Sequence, residues 1–261
     1  MRKFVNTVIN KKTLFPFYSL FFLLTSWELV VHFYHIVPWI LPSPSLILSS
    51  IFQQRRVLWM HTQITLLETI IGFFIAIFFS FILAFLMDSI PWIKKALYPL
   101  LIISQTIPII TIAPLLIIWF GYDLAPKVFV VILVCFFPIT INLLHGLESA
   151  DPEAISLLKI MGANRFQIFR FIKLPSSLPG LFAGLKISAT YSIMGAVIGE
   201  WLGAKNGLGE YMRRSMRSFS IANTFAAIVV ITILSFIFLI IIQLIEYWKM
   251  PWNRKRSSWI D

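Results

Sequence analysis

Three carboxylates, Glu28, Glu68 and Glu200, lie in or at the ends of long apolar runs of this 261-residue chain. An ionised side chain at the centre of a bilayer costs about 2.5–3.5 kcal/mol or more, so an acid retained there marks a pathway, gate or relay by default. Glu28 and Glu68 fall near the predicted ends of their runs, where a long side chain can also snorkel to water. Glu200 is better placed to act on a gate. Other reactive residue types form no constellation. His32, His35, His61 and His145 lack metal-ligand spacing, and neither H-E-x-x-H nor a nucleophile elbow occurs. No G-x4-G-K-[ST] loop is present to cradle nucleotide phosphates. The expectation is a chain without enzyme activity and without a cofactor or metal of its own.

The elements that must position these acids are membrane spans. The chain is 59% hydrophobic and only 13% charged, with a mean hydropathy of +0.86; soluble domains carry about 25% charge. At about 20 residues per span, the predicted fold class is an all-α integral membrane protein of about six transmembrane helices. The spans are read at 15–37, 64–87, 96–120, 127–147, 179–202 and 221–248. The first run is longer than a signal core and lacks a small-x-small cleavage site, so it is read as a retained helix. Residues 45–57 form a short interfacial helix after Leu41-Pro42-Ser43-Pro44. Pro99, Pro108 and Pro114 interrupt the third run, which a membrane tolerates where protein or a cavity satisfies the freed carbonyls. Domain bounds are read as 1–60 (basic leader, first span, interfacial segment), 61–247 (transmembrane core) and 248–261 (basic tail). Cys135, alone of its kind, is a small packing residue and excludes an intrachain disulfide.

The net charge of +11 reads as topology, not nucleic-acid binding, because lysines and arginines cluster at the ends of apolar runs. With six spans, fourteen of them fall on the side of the termini, including Arg2, Lys3, Lys11, Lys12, Arg254, Lys255 and Arg256. Seven fall opposite, namely Arg55, Arg56, Lys127, Lys205, Arg213, Arg214 and Arg217, and Lys186 lies within the fifth run. The positive-inside rule then puts both termini, and the segment 151–175, in the cytoplasm.

That segment is polar, basic and amphipathic. Asp151 before Pro152 is a helix start, Gly162 ends the helix, and Asn164 with Gln167 forms a capping box for a second short helix that Leu174-Pro175 stops. Ile155, Leu158, Met161, Phe166 and Phe169 exceed what a solvated loop carries, so the elbow buries a face against headgroups, its own helices or a partner.

The spacing of Gly162, Ile172 and Leu174-Pro175 resembles the loop motif E-A-A-x3-G-x9-I-x-L-P of bacterial ABC importer permeases. Ser156-Leu157-Leu158 stands where that family has Glu-Ala-Ala, and Glu153-Ala154 lies three residues too early. Thr106-Ile107-Pro108, Ala113-Pro114-Leu115 and Trp119-Phe120-Gly121 resemble the permease subfamily serving aliphatic sulfonates, taurine, nitrate and thiamine-precursor pyrimidines. So do Gly199-Glu200-Trp201-Leu202-Gly203-Ala204 and Gly207-Leu208-Gly209. The resemblance runs from about His61 to Tyr247.

It implies a permease subunit of an ATP-driven importer in the bacterial cytoplasmic membrane, usually a homodimer. A separate ATPase, in two copies, binds ATP and Mg, and an extracytoplasmic binding protein delivers the solute. It assigns ATPase coupling to Ile155, Ser156, Leu157, Leu158, Met161, Gly162, Ala163, Phe166, Ile172, Leu174 and Pro175. Gln105, Thr106, Thr111, Thr190, Tyr191, Ser192, Met194 and Glu200 are the candidate lining of the solute path. In the fifth span Gly180, Gly184, Ser188, Gly195, Gly199 and Gly203 fall largely on one face, read first as packing within the subunit. Six spans and buried acids would also suit a secondary transporter or channel working without an ATPase.

Overall fold

The structure, a computed structural model, describes residues 11–251. Arg2 and Lys3 of the basic leader and Arg254, Lys255 and Arg256 of the tail lie outside the described residues. Among those described, all regular structure is helical. The helices are α1 (Lys11–Phe33), α2 (Pro44–Gln53), α3 (Arg55–Ser89), α4 (Pro91–Ser104), α5 (Ile109–Phe120), α6 (Leu124–Glu148) and α7 (Pro152–Ile160). Then come α8 (Arg165–Ile168), a π-helical turn (Phe169–Lys173), α9 (Leu174–Trp201), α10 (Leu208–Arg217) and α11 (Ile221–Lys249).

Among the described residues, five helical stretches are long and apolar enough to cross a membrane: Phe15–Phe33, Arg55–Ser89, Leu124–Glu148, Arg165–Trp201 and Ile221–Lys249. The predicted third span is instead two helices, α4 and α5, bent by 101°, and counting the pair as one gives six. At 14 and 12 residues they are about 21 and 18 Å long, so neither alone crosses a core of about 30 Å. Pro99 and Pro114 sit inside their helices. Pro108 breaks the chain, with extended backbone at ψ 119° as it opens α5. It lacks an N–H, and its ring drives the preceding residue out of the helical region. Hydroxyls cap the carbonyls around the break: Ser104 donates to Leu101 O at 2.8 Å, Thr106 to Ile103 O at 2.7 Å and Thr111 to Pro108 O at 2.6 Å.

The chain forms two compact units. One holds residues up to Trp59 together with Tyr211–Val229. In it, Ser43 caps α2 ahead of Pro44, and the Glu28 carboxylate accepts the Ser45 N–H at 3.0 Å and the Ser45 hydroxyl at 2.7 Å. This acid fastens α1 to the start of α2. Trp27 meets Phe225 edge-on, with ring centroids 5.7 Å apart.

The other unit, Met60–Glu210 with residues from Val230 on, holds the main core. Its seam is α6 against α9, and glycines set the approach. A Cβ on Gly180 would lie 2.4 Å from Asn142 O, one on Gly184 2.8 Å from Pro138 O, and one on Gly199 2.9 Å from the Lys127 Cα. Gly146 of α6 returns the favour toward Ser177 O at 2.8 Å. Backbones this close gain dispersion over their whole length, which is how helices associate where lipid removes the hydrophobic drive. The small-residue stripe of α9 therefore packs within the subunit. Buried Cys135, Ile139, Leu143, Ala189 and Ala196 fill the seam. Ser188 donates to Cys135 O at 3.0 Å, so its hydroxyl is satisfied inside the core. Lys186 pairs with Glu246 of α11 at 3.0 Å.

Candidate functional site

The caps and the glycine stop in the elbow act as chemistry dictates. Asp151 accepts the Glu153 N–H at 2.9 Å with Pro152 in the first turn of α7. Gly162 has φ +82°, and the N–H groups of Gly162 and Ala163 bond Lys159 O and Leu158 O at 3.0 and 2.9 Å. Those paired bonds close a Schellman motif, whose left-handed residue favours glycine. Asn164 and Gln167 exchange both bonds of a capping box, each 2.8 Å.

The second half of the elbow differs from expectation. Leu174-Pro175 does not stop it. α8 passes through the π turn directly into α9, and the Leu174 N–H reaches back to Phe169 O. A proline in the first turn of a helix forfeits no bond that was otherwise available, so the chain runs helical from Arg165 to Trp201, 37 residues.

The side chains divide sharply. Ile168 is buried, and Ile155, Leu158, Ala163, Phe169, Ile172 and Leu174 are half-buried. Leu157, Ile160, Met161 and Phe166 stand 59, 85, 73 and 66% exposed. Ser156, at the position of the family glutamate, turns its hydroxyl to Pro152 O at 2.8 Å. Beside α7 a groove of about 460 Å³ is lined by Asp88, Lys94, Glu148, Ile155, Ser156 and Lys159 among others. Two ion pairs brace it: Lys173 to Asp88 at 2.7 Å, and Lys94 to Glu148.

The candidate path residues fall on two sides. Thr190, Tyr191 and Met194 share an exposed face of α9 with Ile187, and Gln105, Thr106 and Thr111 are exposed about the break between α4 and α5. Ser192 is buried with its hydroxyl on Ala189 O at 3.0 Å. Glu200 is fully buried.

Glu200 belongs to a polar cluster that the sequence did not reveal. Thr65 donates to its Oε1 at 2.6 Å and the Gly209 N–H donates to its Oε2 at 2.5 Å. The Leu208 N–H bonds Thr65 Oγ1 and the Gly207 N–H bonds His61 Nδ1, both at 2.9 Å. Glu68, 1% exposed, lies one turn along α3 from Thr65, with Lys127 Nζ 4.0 Å away. Glu68 therefore does not snorkel. Lys127, counted above as a topology charge, is also buried and donates to Tyr122 O at 2.9 Å. A Cβ on Gly207 would sit 2.2 Å from the Glu200 carboxyl carbon, so only glycine fits against that acid. Glu200 and Gly207-Leu208-Gly209 stand close together in sequence, but His61, Thr65 and Glu68 lie far from them, so no local pattern joins the two groups.

A broken span, a face of neutral polar side chains and a long helix ending in a protruding elbow suit the passage of a solute across a lipid barrier. The class so defined is the multi-pass membrane transport component. Sequence comparison makes it specific: the chain belongs to the family of binding-protein-dependent transport system inner membrane components, whose pattern matches residues 76–251. It is 37% identical over 220 residues, 84% of this chain and 88% of the relative, to the formylaminopyrimidine transport permease protein ThiX of Halalkalibacterium halodurans. It is 34% identical over 237 residues to the riboflavin transport system permease protein RibX of Chloroflexus aurantiacus, covering 90 and 88% of the two chains. With the taurine transport system permease protein TauC of Escherichia coli it shares 26% over 238 residues, covering 88 and 86%. These relatives do not favour a channel or a transporter working without an ATPase.

Proposed function

We propose that this permease works as a dimer of identical chains with two copies of a separate ATPase, that its termini and elbow are cytoplasmic, and that it imports a neutral nitrogen heterocycle of the pyrimidine class. The observation that carries the ATPase reading is the elbow. Leu157, Ile160, Met161 and Phe166 project from a capped, rigidly turned segment, and apolar side chains held out in this way call for a partner groove. Nucleotide and Mg belong to that partner. Closure of the ATPase pair pushes the elbows, and α9, continuous with α8, carries the motion to the solute path.

The solute reading rests on neutrality. Gln105, Thr106, Thr111, Thr190, Tyr191 and Met194 offer hydrogen bonds, one aromatic ring and a polarisable sulfur, with no cation to hold a sulfonate. Relatives named for a formylaminopyrimidine and for riboflavin are more similar to the chain than one named for taurine. The test is uptake into proteoliposomes containing this chain, its ATPase and its binding protein. We expect ATP-dependent accumulation of labelled formylaminopyrimidine and little of taurine. Uptake without the ATPase overturns the first reading, and a preference for taurine overturns the second.

A further inference from the structure

The first turn of a helix leaves N–H groups without intrahelical partners. In α10 these groups are capped from other helices. Three successive N–H groups, of Gly207, Leu208 and Gly209, donate in turn to His61 and Thr65 of α3 and to Glu200 of α9. Thr65 joins the two sides by donating to Glu200. Glu200, Thr65, Leu208 and His61 are at most 2% exposed, so water does not compete for these bonds. The cluster is thus a dry clamp between the start of α10 and the last turn of α9.

What lies beyond each end of the clamp gives it a use. α10 is strongly amphipathic: Leu208, Tyr211, Met212 and Ser215 are buried, while Arg214 and Arg217 are exposed. In the orientation proposed above, it presents cations on the extracytoplasmic side. The helical stretch that ends at the clamp begins at Arg165 beside the capping box of the elbow. At 37 residues it is about 55 Å long, against a hydrocarbon core of about 30 Å. One rod therefore joins the clamp to the elbow.

We propose that Thr65 and Glu200 are positioning residues of the transport cycle. They fasten α10 to α9, so that a binding protein seated on the exposed face of α10 acts along α9 on the elbow and stimulates the ATPase. This inference rests on the importer reading, and its test separates the two. In proteoliposomes, Thr65→Val keeps the side chain's shape but removes the hydroxyl at the centre of the clamp. Basal ATP hydrolysis is expected to stay at the wild-type level, while stimulation by loaded binding protein falls at least about fivefold, the lower end of ordinary coupling. Thr65→Ser restores it. Wild-type vesicles without any stimulation remove the importer reading itself. Full stimulation in Thr65→Val beside a responsive wild type removes only the clamp. If Thr65→Val does not assemble, hydrogen exchange on the wild-type complex decides. Loaded binding protein is expected to change exchange at Leu208 and Gly209 together with residues 161–168, and a change at α10 with none at the elbow overturns the proposal.

Discussion

Replacing Ile160 by Ser tests the elbow most directly. Ile160 is 85% exposed, at the C-terminal end of α7, just before the Schellman turn. Within the subunit it has little to lose, and an exposed substitution of this kind moves stability by no more than about 0.5 kcal/mol. On a partner surface, burial of such a side chain contributes about 1.5–3 kcal/mol. The Ile160→Ser permease in nanodiscs is therefore expected to bind its ATPase roughly ten- to a hundredfold more weakly. Its thermal unfolding profile stays that of the wild type. Biolayer interferometry with immobilised nanodiscs gives the affinity, and intrinsic fluorescence during heating gives the profile. Met161→Ser, 73% exposed, is the companion measurement. If both variants bind as tightly as the wild type, the apolar tip does not seat in the ATPase and the docking argument is wrong. Leu158→Asp is a less clean probe, because Leu158 is half-buried and the charge also disturbs the elbow's own packing.

Gly162→Pro cannot adopt φ +82° because the ring holds φ near −65°; uptake is expected to fail while the spans stay folded, as read by uptake and the melting profile together. Gly180→Ala sets a methyl 2.4 Å from the backbone oxygen of Asn142, and because Gly184 and Gly146 hold the same seam the helices cannot part locally. A loss of about 1–3 kcal/mol follows, seen as a lower melting temperature; an unchanged one refutes the seam. Asp88→Asn leaves Lys173 without its carboxylate in a partly buried site, expected to cost about 1.5–3 kcal/mol. Glu148→Gln at the more exposed Lys94 pair is expected to cost less than about 1 kcal/mol, so equal effects in denaturation assays would contradict the burial difference.

Signals that act through the chain's own backbone are legible in the sequence. The Asp151 cap, the Gly162 stop and the Asn164–Gln167 box each need only neighbours within a few residues, and all three form as their residue types require. Apolar runs placed the spans to within a few residues, except that α3 and α9 extend further. The errors have physical causes. Leu174-Pro175 looks like a stop, but a proline that opens one helix can follow another when a π turn absorbs the mismatch. Three prolines in one run did not disclose that Pro108 alone would break it. The α9 glycines were visible as a stripe; their partner backbone in α6 was not. Glu68 and Glu200 were singled out for their cost in an apolar setting, and both are buried. Their surroundings depend on Lys127, Thr65 and the glycines after Leu202, which only the folded chain assembles.

The π turn at Phe169–Lys173 sets the elbow's compass bearing. A π turn carries one residue more than the α-helical path it replaces, and each α-helical residue advances the chain by about 100° and 1.5 Å. Deleting one residue there would let α8 and α9 run as a regular helix with the elbow's bearing kept, whereas winding all five residues as α-helix would swing the elbow by roughly 100° around the axis of α9. Its exposed apolar side chains would then face another quarter around that axis with their own structure untouched. The azimuth at which the elbow leaves α9 is held by the π winding of Phe169–Lys173, which absorbs one residue that an α-helical path would turn into rotation.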